Sequence, residues 1–230
     1  MRDKFLIEPI IGGFVRLDAV NADDLSVVNS ARVSFGRRVD EMSDADKKLV
    51  AYLLKNSHGT PFEHNFFRFH IKAPIFVARE WFRHRIGWSY NEFSARYSEM
   101  QEEYYEPSES DFRTQVGKPG SYSFEQLDED SARHASIIMN SSNQSSYKAY
   151  ETLLGMGVAK ELARCVLPVG MFTEFYATCN ARSLMNFIDL RGDATAQYEI
   201  RQYANAIEGF LMESMPITYK AFVDNGRKAP

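Results

Sequence analysis

The 230-residue chain predicts an α+β fold, a mixed or antiparallel sheet packed by several helices. Three observations lead there. Segments at residues 14–20 and 63–73 alternate in polarity as strands do. Longer segments with helical spacing and recognisable caps outnumber them. The two kinds are interspersed without the regular strand–helix alternation of a doubly wound sheet. With 44% hydrophobic residues, the chain can bury one sizeable core, so residues 1–230 are expected to form a single domain.

Phe14-Val15-Arg16-Leu17-Asp18-Ala19-Val20 partly alternates and reads as an early strand. Asp23 or Asp24 then caps a helix through about Arg32. Ser43 opens a second helix, with Asp46 in the capping-box position and Leu49, Tyr52 and Leu53 on the apolar side. His58-Gly59-Thr60-Pro61 breaks it. Over 63–73, Phe67, Phe69, Ile71 and Ala73 share one strand face, and Phe66, Arg68, His70 and Lys72 share the other. Pro74 sits where a first-turn proline belongs, and a helix is expected from Ile75 to about Arg83. The aromatic stretch 94–106 is expected to return as extended chain or strand.

Residues 107–147 are the least hydrophobic part and read as a polar, mobile excursion. Lys118-Pro119-Gly120-Ser121 within it is a loop, and the Ser/Asn-rich stretch from Asn140 to Ser146 is a solvated face or polar helix running into Tyr147–Leu154. Further helices are expected over Val158–Val166, Ala181–Leu190 and Ala196–Met212, with a last short one from Pro216 and a strand over Met171–Thr178.

A net charge of −4 argues against general binding to nucleic acid or anionic membrane, which needs a broad basic field. No apolar run approaches the ~20 residues of a membrane span. Met1-Arg2-Asp3-Lys4-Phe5 lacks the apolar stretch of a secretion signal, so a cytoplasmic location is expected. Cys165 and Cys179 form no redox or metal spacing and read as small hydrophobes. The five histidines form no ligand pair of the HExxH kind, and no metal is expected.

The chemistry concentrates in Arg83-His84-Arg85-Ile86-Gly87-Trp88-Ser89-Tyr90-Asn91-Glu92-Phe93-Ser94-Ala95-Arg96-Tyr97. Three strong donors, a carboxylate, a hydroxyl and another arginine exceed what an ordinary core tolerates. A pocket for a planar, multiply anionic ligand accounts for them, because arginine forks grip such groups bidentately. Arg79 and Arg83 would stand one helical turn apart, where like charges repel unless an anion or the helix dipole compensates.

This segment closely resembles the signature of the flavin-dependent thymidylate synthases. Ala31-Arg32-Val33-Ser34-Phe35, His58-Gly59-Thr60-Pro61-Phe62-Glu63-His64, Lys72 to Arg79, Ala163 to Pro168 and Asn180 to Phe187 resemble further blocks of that family in consistent order, ending at Arg191. The resemblance implies FAD contacts from His58, Thr60, Arg83, His84, Arg85, Glu92, Asn180, Arg182 and Asn186. It implies a dUMP site from Arg83, Glu92, Phe93, Ser94, Ala95 and Arg96, with Arg164 at the phosphate and Arg191 against the pyrimidine. It implies reductive methylation of dUMP to dTMP, with 5,10-methylenetetrahydrofolate as one-carbon donor and NADPH-reduced FAD as hydride source. A homotetramer with sites between subunits is implied as well. Arg191 would stabilise negative charge at the base and so act catalytically, whereas Ser94, lacking a partnered base, would hydrogen-bond the substrate.

The chain departs from the family pattern in three places. Eight residues separate Arg85 from Ser94, the longer of the family's spacings, and Gly87 is placed to absorb the extra one. Glu80 stands where glutamine is common, and Thr195 where a flavin-side histidine is often found. Two competing readings are a flavoprotein silenced by these departures and a nucleic-acid-binding module using Arg79, Arg83, Arg85 and Arg96 with Trp88 and Tyr90 as stacking rings. The acidic balance weighs against the second.

Overall fold

The alternation of β3 (Phe66–Pro74) makes it the central strand of a five-stranded sheet in the computed structural model, which describes residues 6–118 and 121–230. The sheet order is β1 (Leu6–Ile7), β2 (Phe14–Asn21), β3, β7 (Phe172–Asn180), β4 (Trp88–Glu92), and every neighbouring pair is antiparallel. Phe67, Phe69, Ile71 and Ala73 are wholly buried, and Phe175, Ala177 and Cys179 continue that face across β7. Burying each large apolar side chain contributes on the order of 2 kcal/mol, so this face outweighs any surface pair. On the opposite face Arg68 pairs with Asp18 at 2.7 Å, His70 with Glu174 at 2.9 Å and Lys72 with Glu103 at 2.7 Å. Exposed pairs of this kind contribute little to stability.

The apolar face is covered by α1 (Asp24–Arg32), α2 (Asp44–Lys55), α3 (Thr60–Glu63), α4 (Ile75–Trp81), α7 (Ala181–Arg191), α8 (Tyr198–Ser214) and α9 (Pro216–Asp224), whereas α5 (Glu129–Gly155) and α6 (Lys160–Ala163) enclose a separate, smaller core of Ala95, Met100, Tyr150, Ala163 and Met171. Trp81 is the hub, stacked on Phe187 of α7 at 4.7 Å and edge-on to Phe175 and Tyr203 at 5.5 and 5.8 Å. Asp23 caps α1, accepting from the Ser26 amide. Ser43 and Asp46 form the reciprocal capping box of α2.

Several boundaries differ from the sequence reading. Residues 63–65 are not strand, because Pro61 starts the short α3 and buried Asn65 turns the chain, its carbonyl accepting from the Ala181 amide at 2.9 Å. Strand pairing falls at Trp88–Glu92, earlier than 94–106, where only an isolated bridge joins Tyr104 to Met171. The helix expected over 158–166 is α6 followed by a 3₁₀ turn at Arg164–Val166. The polar excursion carries a β-hairpin, β5 (Arg113–Lys118) with β6 (Ser121–Gln126), and most of the 27-residue α5. Met1–Phe5 and the Pro119-Gly120 step of the expected loop lie outside the described residues. No helix among the described residues is long and apolar enough to cross a membrane.

Candidate active site

The segment from Arg79 to Arg96 is held by the end of α4, a turn and β4. The helix stops at Trp81, two residues short of the expected Arg83, so Arg79 and Arg83 do not stack along one helix. Its closing turn tightens through His84 N–H to the Trp81 carbonyl at 2.9 Å. The Tyr90 hydroxyl donates toward the Trp81 and His84 carbonyls at 3.2 and 2.8 Å, satisfying acceptors that a helix end leaves open. Gly87 then takes φ +70°, in the left-handed region. Its carbonyl accepts from the Asn180 amide at 3.3 Å, and Ser183 Oγ donates to the Ile86 carbonyl at 2.9 Å. The turn that carries Gly87 is therefore docked on the start of α7.

Within this turn the side chains divide. His84 is only 7% exposed, its ring edge-on to Phe187 at 5.0 Å. Its Nε2 accepts from Arg191 Nε at 2.9 Å, so the ring is neutral with its proton on Nδ1. Burial, assisted by the Arg191 charge, pushes its pKa down to about 4. Arg83 and Arg85 point to solvent, and neither guanidinium has a protein partner among the described residues. Arg191 is further held by Glu80, Nη1 to Oε2 at 2.9 Å and Nη2 to the main-chain carbonyl at 3.2 Å. A guanidinium carries five N–H donors; three are engaged here, so two remain.

At the far end of β4, Glu92, Phe93, Ala95 and Arg164 line a cavity of about 440 Å³ with Arg79, Cys165, Met100 and Thr173. Glu92 Oε1 accepts from Thr173 Oγ1 at 2.8 Å, which fixes the carboxylate at the rim. Of the other residues expected at the nucleotide, Ser94 Oγ accepts from the Arg96 amide at 3.4 Å, and Arg96 pairs with Glu161 at 3.2 Å. Arg83 and Arg191 do not line this cavity.

The expected flavin-side residues gather round the N-terminal end of α7. Asn180 caps the helix, accepting from the Ser183 amide at 2.8 Å. Arg182 bonds Glu63 and the Pro230 carbonyl, each at 2.7 Å, and lies against Gly59, where a β-carbon would be 2.6 Å from its Cζ. Asn186, one turn on, is exposed on the same face. His58 and Thr60 flank Gly59 and open onto a groove of about 1050 Å³ lined also by Arg32, Val33, Phe35, Arg37 and Tyr52. His58 stands edge-on to Tyr52 at 5.8 Å. The donor set of this band, Arg83, Arg85, Arg182, Asn180, Asn186, His58 and Thr60, suits a pyrophosphate-bearing dinucleotide such as FAD. Thr195, at the family's histidine position, turns its hydroxyl to Asp193 at 2.6 Å.

One chain thus places most of the two expected ligand sets at opposite ends of β4, roughly 13 Å apart at strand rise, with Arg83 and Arg191 of the nucleotide set at the flavin end. Glu92, expected where both ligands meet, stands at the nucleotide end. The sequence reading missed Thr173, Tyr90 and Ser183. Thr173 alone had a signal, as the inward-facing polar residue of an otherwise apolar strand face.

Known proteins resemble this chain in sequence and fold. A family model described as thymidylate synthase complementing protein matches residues 17–217. A flavin-dependent thymidylate synthase of Thermosipho africanus is 48% identical over 211 residues, covering 92% of this chain and 91% of that protein. One from Streptomyces avermitilis is 44% identical over 228 residues, covering 94% and 93%. Among solved structures, a UMP/dUMP methylase, PolB of Streptomyces cacaoi, bound with 5-Br UMP, superposes with a TM-score of 0.87 at 38% identity, covering 95% of this chain and 96% of that one.

Proposed function

This chain belongs to the flavin-dependent thymidylate synthases, and from that premise we propose how its own groups serve the methylation of dUMP to dTMP. The cavity under Glu92, Phe93, Ala95 and Arg164 takes the nucleotide, with Arg164 at the phosphate. Glu92, steadied by Thr173, hydrogen-bonds at the rim, and Ser94 and Arg96 close over the ligand once Arg96 leaves Glu161. Arg83, Arg85, Arg182, Asn180, Asn186, His58 and Thr60 hold FAD, with Arg83 shared with the nucleotide; His84 acts on the ligands through Arg191. When bound, the flavin supplies the reducing equivalents that complete the methyl group. NADPH as reductant, 5,10-methylenetetrahydrofolate as one-carbon donor and a cytoplasmic setting complete the reading.

Arg191 presents its two remaining N–H groups to the pyrimidine, where they stabilise charge accumulating on N3 and O2 as C5 becomes nucleophilic. Neutral His84 suits this task, because a charged imidazole beside the guanidinium would repel it. The separation of the two ligand sets along β4, and the absence of Arg191 from the nucleotide cavity, support active sites completed by neighbouring subunits of a homotetramer. The single observation that carries the reading is the convergence of Glu92, Phe93, Ala95 and Arg164 on one cavity, from segments far apart in sequence.

The purified protein is expected to be yellow and to release tritium from C5-labelled dUMP when given NADPH and methylenetetrahydrofolate; a colourless protein that does not bind dUMP would contradict the assignment. Arg191→Ala is expected to lower kcat by on the order of 10²–10³ while FAD stays bound. Loss of FAD in that variant would show that Arg191 serves the cofactor instead.

A further inference from the structure

We propose that Glu80 is a positioning residue for Arg191 and that its carboxylate sets how much positive charge the guanidinium presents to the nucleotide base. The inference rests on the reading of Arg191 as the group that faces the pyrimidine.

Two of the three bonds that hold Arg191 come from Glu80. Its main-chain carbonyl takes Nη2 at 3.2 Å and its side-chain carboxylate takes Nη1 at 2.9 Å, while His84 takes Nε at 2.9 Å. Orientation and charge are thereby separable. The main-chain carbonyl belongs to the last turn of α4, ahead of wholly buried Trp81, and orients the guanidinium whatever side chain stands at position 80. The carboxylate adds a second tether and a negative charge. Both side chains of the pair are about a quarter exposed, so solvent screens their attraction less than on an open surface.

That negative charge opposes the role proposed for Arg191. Charge growing on the base oxygens is drawn to the guanidinium and repelled by the carboxylate behind it. A protonated Glu80, or a glutamine in its place, keeps an acceptor oxygen for Nη1 and removes the repulsion. The titratable and charged groups that face Glu80 come from several elements: Arg191 on α7, neutral His84 in the following turn, and Glu199 on α8 with Arg113 of β5 behind it at 3.0 Å, while Arg79 and Arg83 are its neighbours in sequence. Burial is the largest influence and raises its proton affinity. Arg191 works against that, and Glu199 adds to it. Protonation therefore becomes accessible at a higher pH than for a free glutamate, and with it comes a pH-dependent strengthening of Arg191.

The test compares Glu80→Gln, Glu80→Ala and Arg191→Ala with the parent protein, measuring dUMP affinity by calorimetry and kcat and KM separately between about pH 5.5 and about pH 8.5. The parent's kcat is expected to rise toward acid; Glu80→Gln is expected to flatten that rise and to raise kcat by about 3- to 10-fold at the alkaline end, with little change in KM. Glu80→Ala, which loses the side-chain tether, is expected to fall about 10-fold or more below Glu80→Gln. If Gln and Ala fall together below the parent, the side chain is a tether whose charge is silent, and the proposal is overturned. It is likewise overturned if Glu80→Gln matches the parent in kcat and pH profile. Arg191→Ala tells the two readings apart. Parent-like turnover there removes the base-facing role of Arg191 and the Glu80 proposal with it, whereas an impaired Arg191→Ala beside a parent-like Glu80→Gln removes the Glu80 proposal alone.

Discussion

The turn at Arg83–Gly87 and the hairpin of β5 and β6 both reach into solvent, but they are held in different ways. In the turn the backbone is fixed from outside itself, by Tyr90, Ser183 and Asn180, while the guanidinium tips of Arg83 and Arg85 have no protein partner among the described residues. In the hairpin the backbone is paired mainly with itself, from Arg113 opposite Gln126 to Lys118 opposite Ser121, and its exposed side chains include Val116, Tyr122 and Phe124. Its tie to the body runs through Arg113, which pairs with buried Glu199. A fixed backbone carrying unsatisfied charge is preorganised for an anionic ligand, because little entropy remains to be lost on binding. Exposed apolar side chains on a self-paired ribbon carry no such mark. Exposure becomes informative only beside what pins the backbone beneath it.

The sharpest way to break this contrast is Gly87→Ala. A β-carbon there would run into Ser183 Oγ and lie 2.7 Å from Asn180 Nδ2, and the backbone stands at φ +70°. The expected cost is about 3 kcal/mol in urea unfolding, with FAD retention falling in step. Parent-like stability and colour would mean that the turn is not pinned as described.

The acid limb of stability is the next largest effect. His84 has a folded pKa of about 4 against an ordinary 6.5, so between those values the unfolded chain binds the proton that the folded chain refuses. Its contribution is complete above pH 6.5 and is lost as pH falls toward 4, up to about 3 kcal/mol. Glu80, raised by burial, works in the opposite direction and trims the slope. His84→Gln is expected to remove most of the limb in urea titrations at successive pH values, and an unchanged slope would place the titrating group elsewhere. The smallest effect belongs to the hairpin, where Tyr122→Ser should stay within about 0.5 kcal/mol of the parent in the same measurement. A larger loss would show that the ribbon is covered by something the isolated chain does not reveal.

Legibility in the sequence followed the range of the forces involved. The alternation of Phe67, Phe69, Ile71 and Ala73 and the Ser43–Asp46 box depend on near neighbours, and both were readable. The strand at Trp88–Glu92 was hidden among charged residues, since Trp88 and Tyr90 become strand only by pairing with Cys179 and Ala177 on β7. The long α5 was obscured by its Ser/Asn-rich middle, of modest helix propensity. Its stability draws on distant contacts, such as buried Tyr150, whose hydroxyl accepts from the Met100 amide at 3.2 Å. At the site, the family resemblance implied that His84 touches FAD, whereas its inward turn depends on Phe187 and Arg191, far along the chain. The residues expected at the nucleotide came from family resemblance. The cavity brings Glu92, Phe93, Ala95 and Arg164 together, and Thr173, marked in the sequence only as a polar residue on an apolar strand face, joins them through its bond to Glu92.

The measurement that tests the central claim most directly is calorimetric binding of dUMP and of deoxyuridine, which lacks the phosphate, to the parent and to Arg164→Ala. The parent should prefer dUMP by about 100-fold, and Arg164→Ala should lose most of that preference while its affinity for deoxyuridine stays unchanged. An undiminished preference in Arg164→Ala would contradict the placement of the nucleotide phosphate in this cavity.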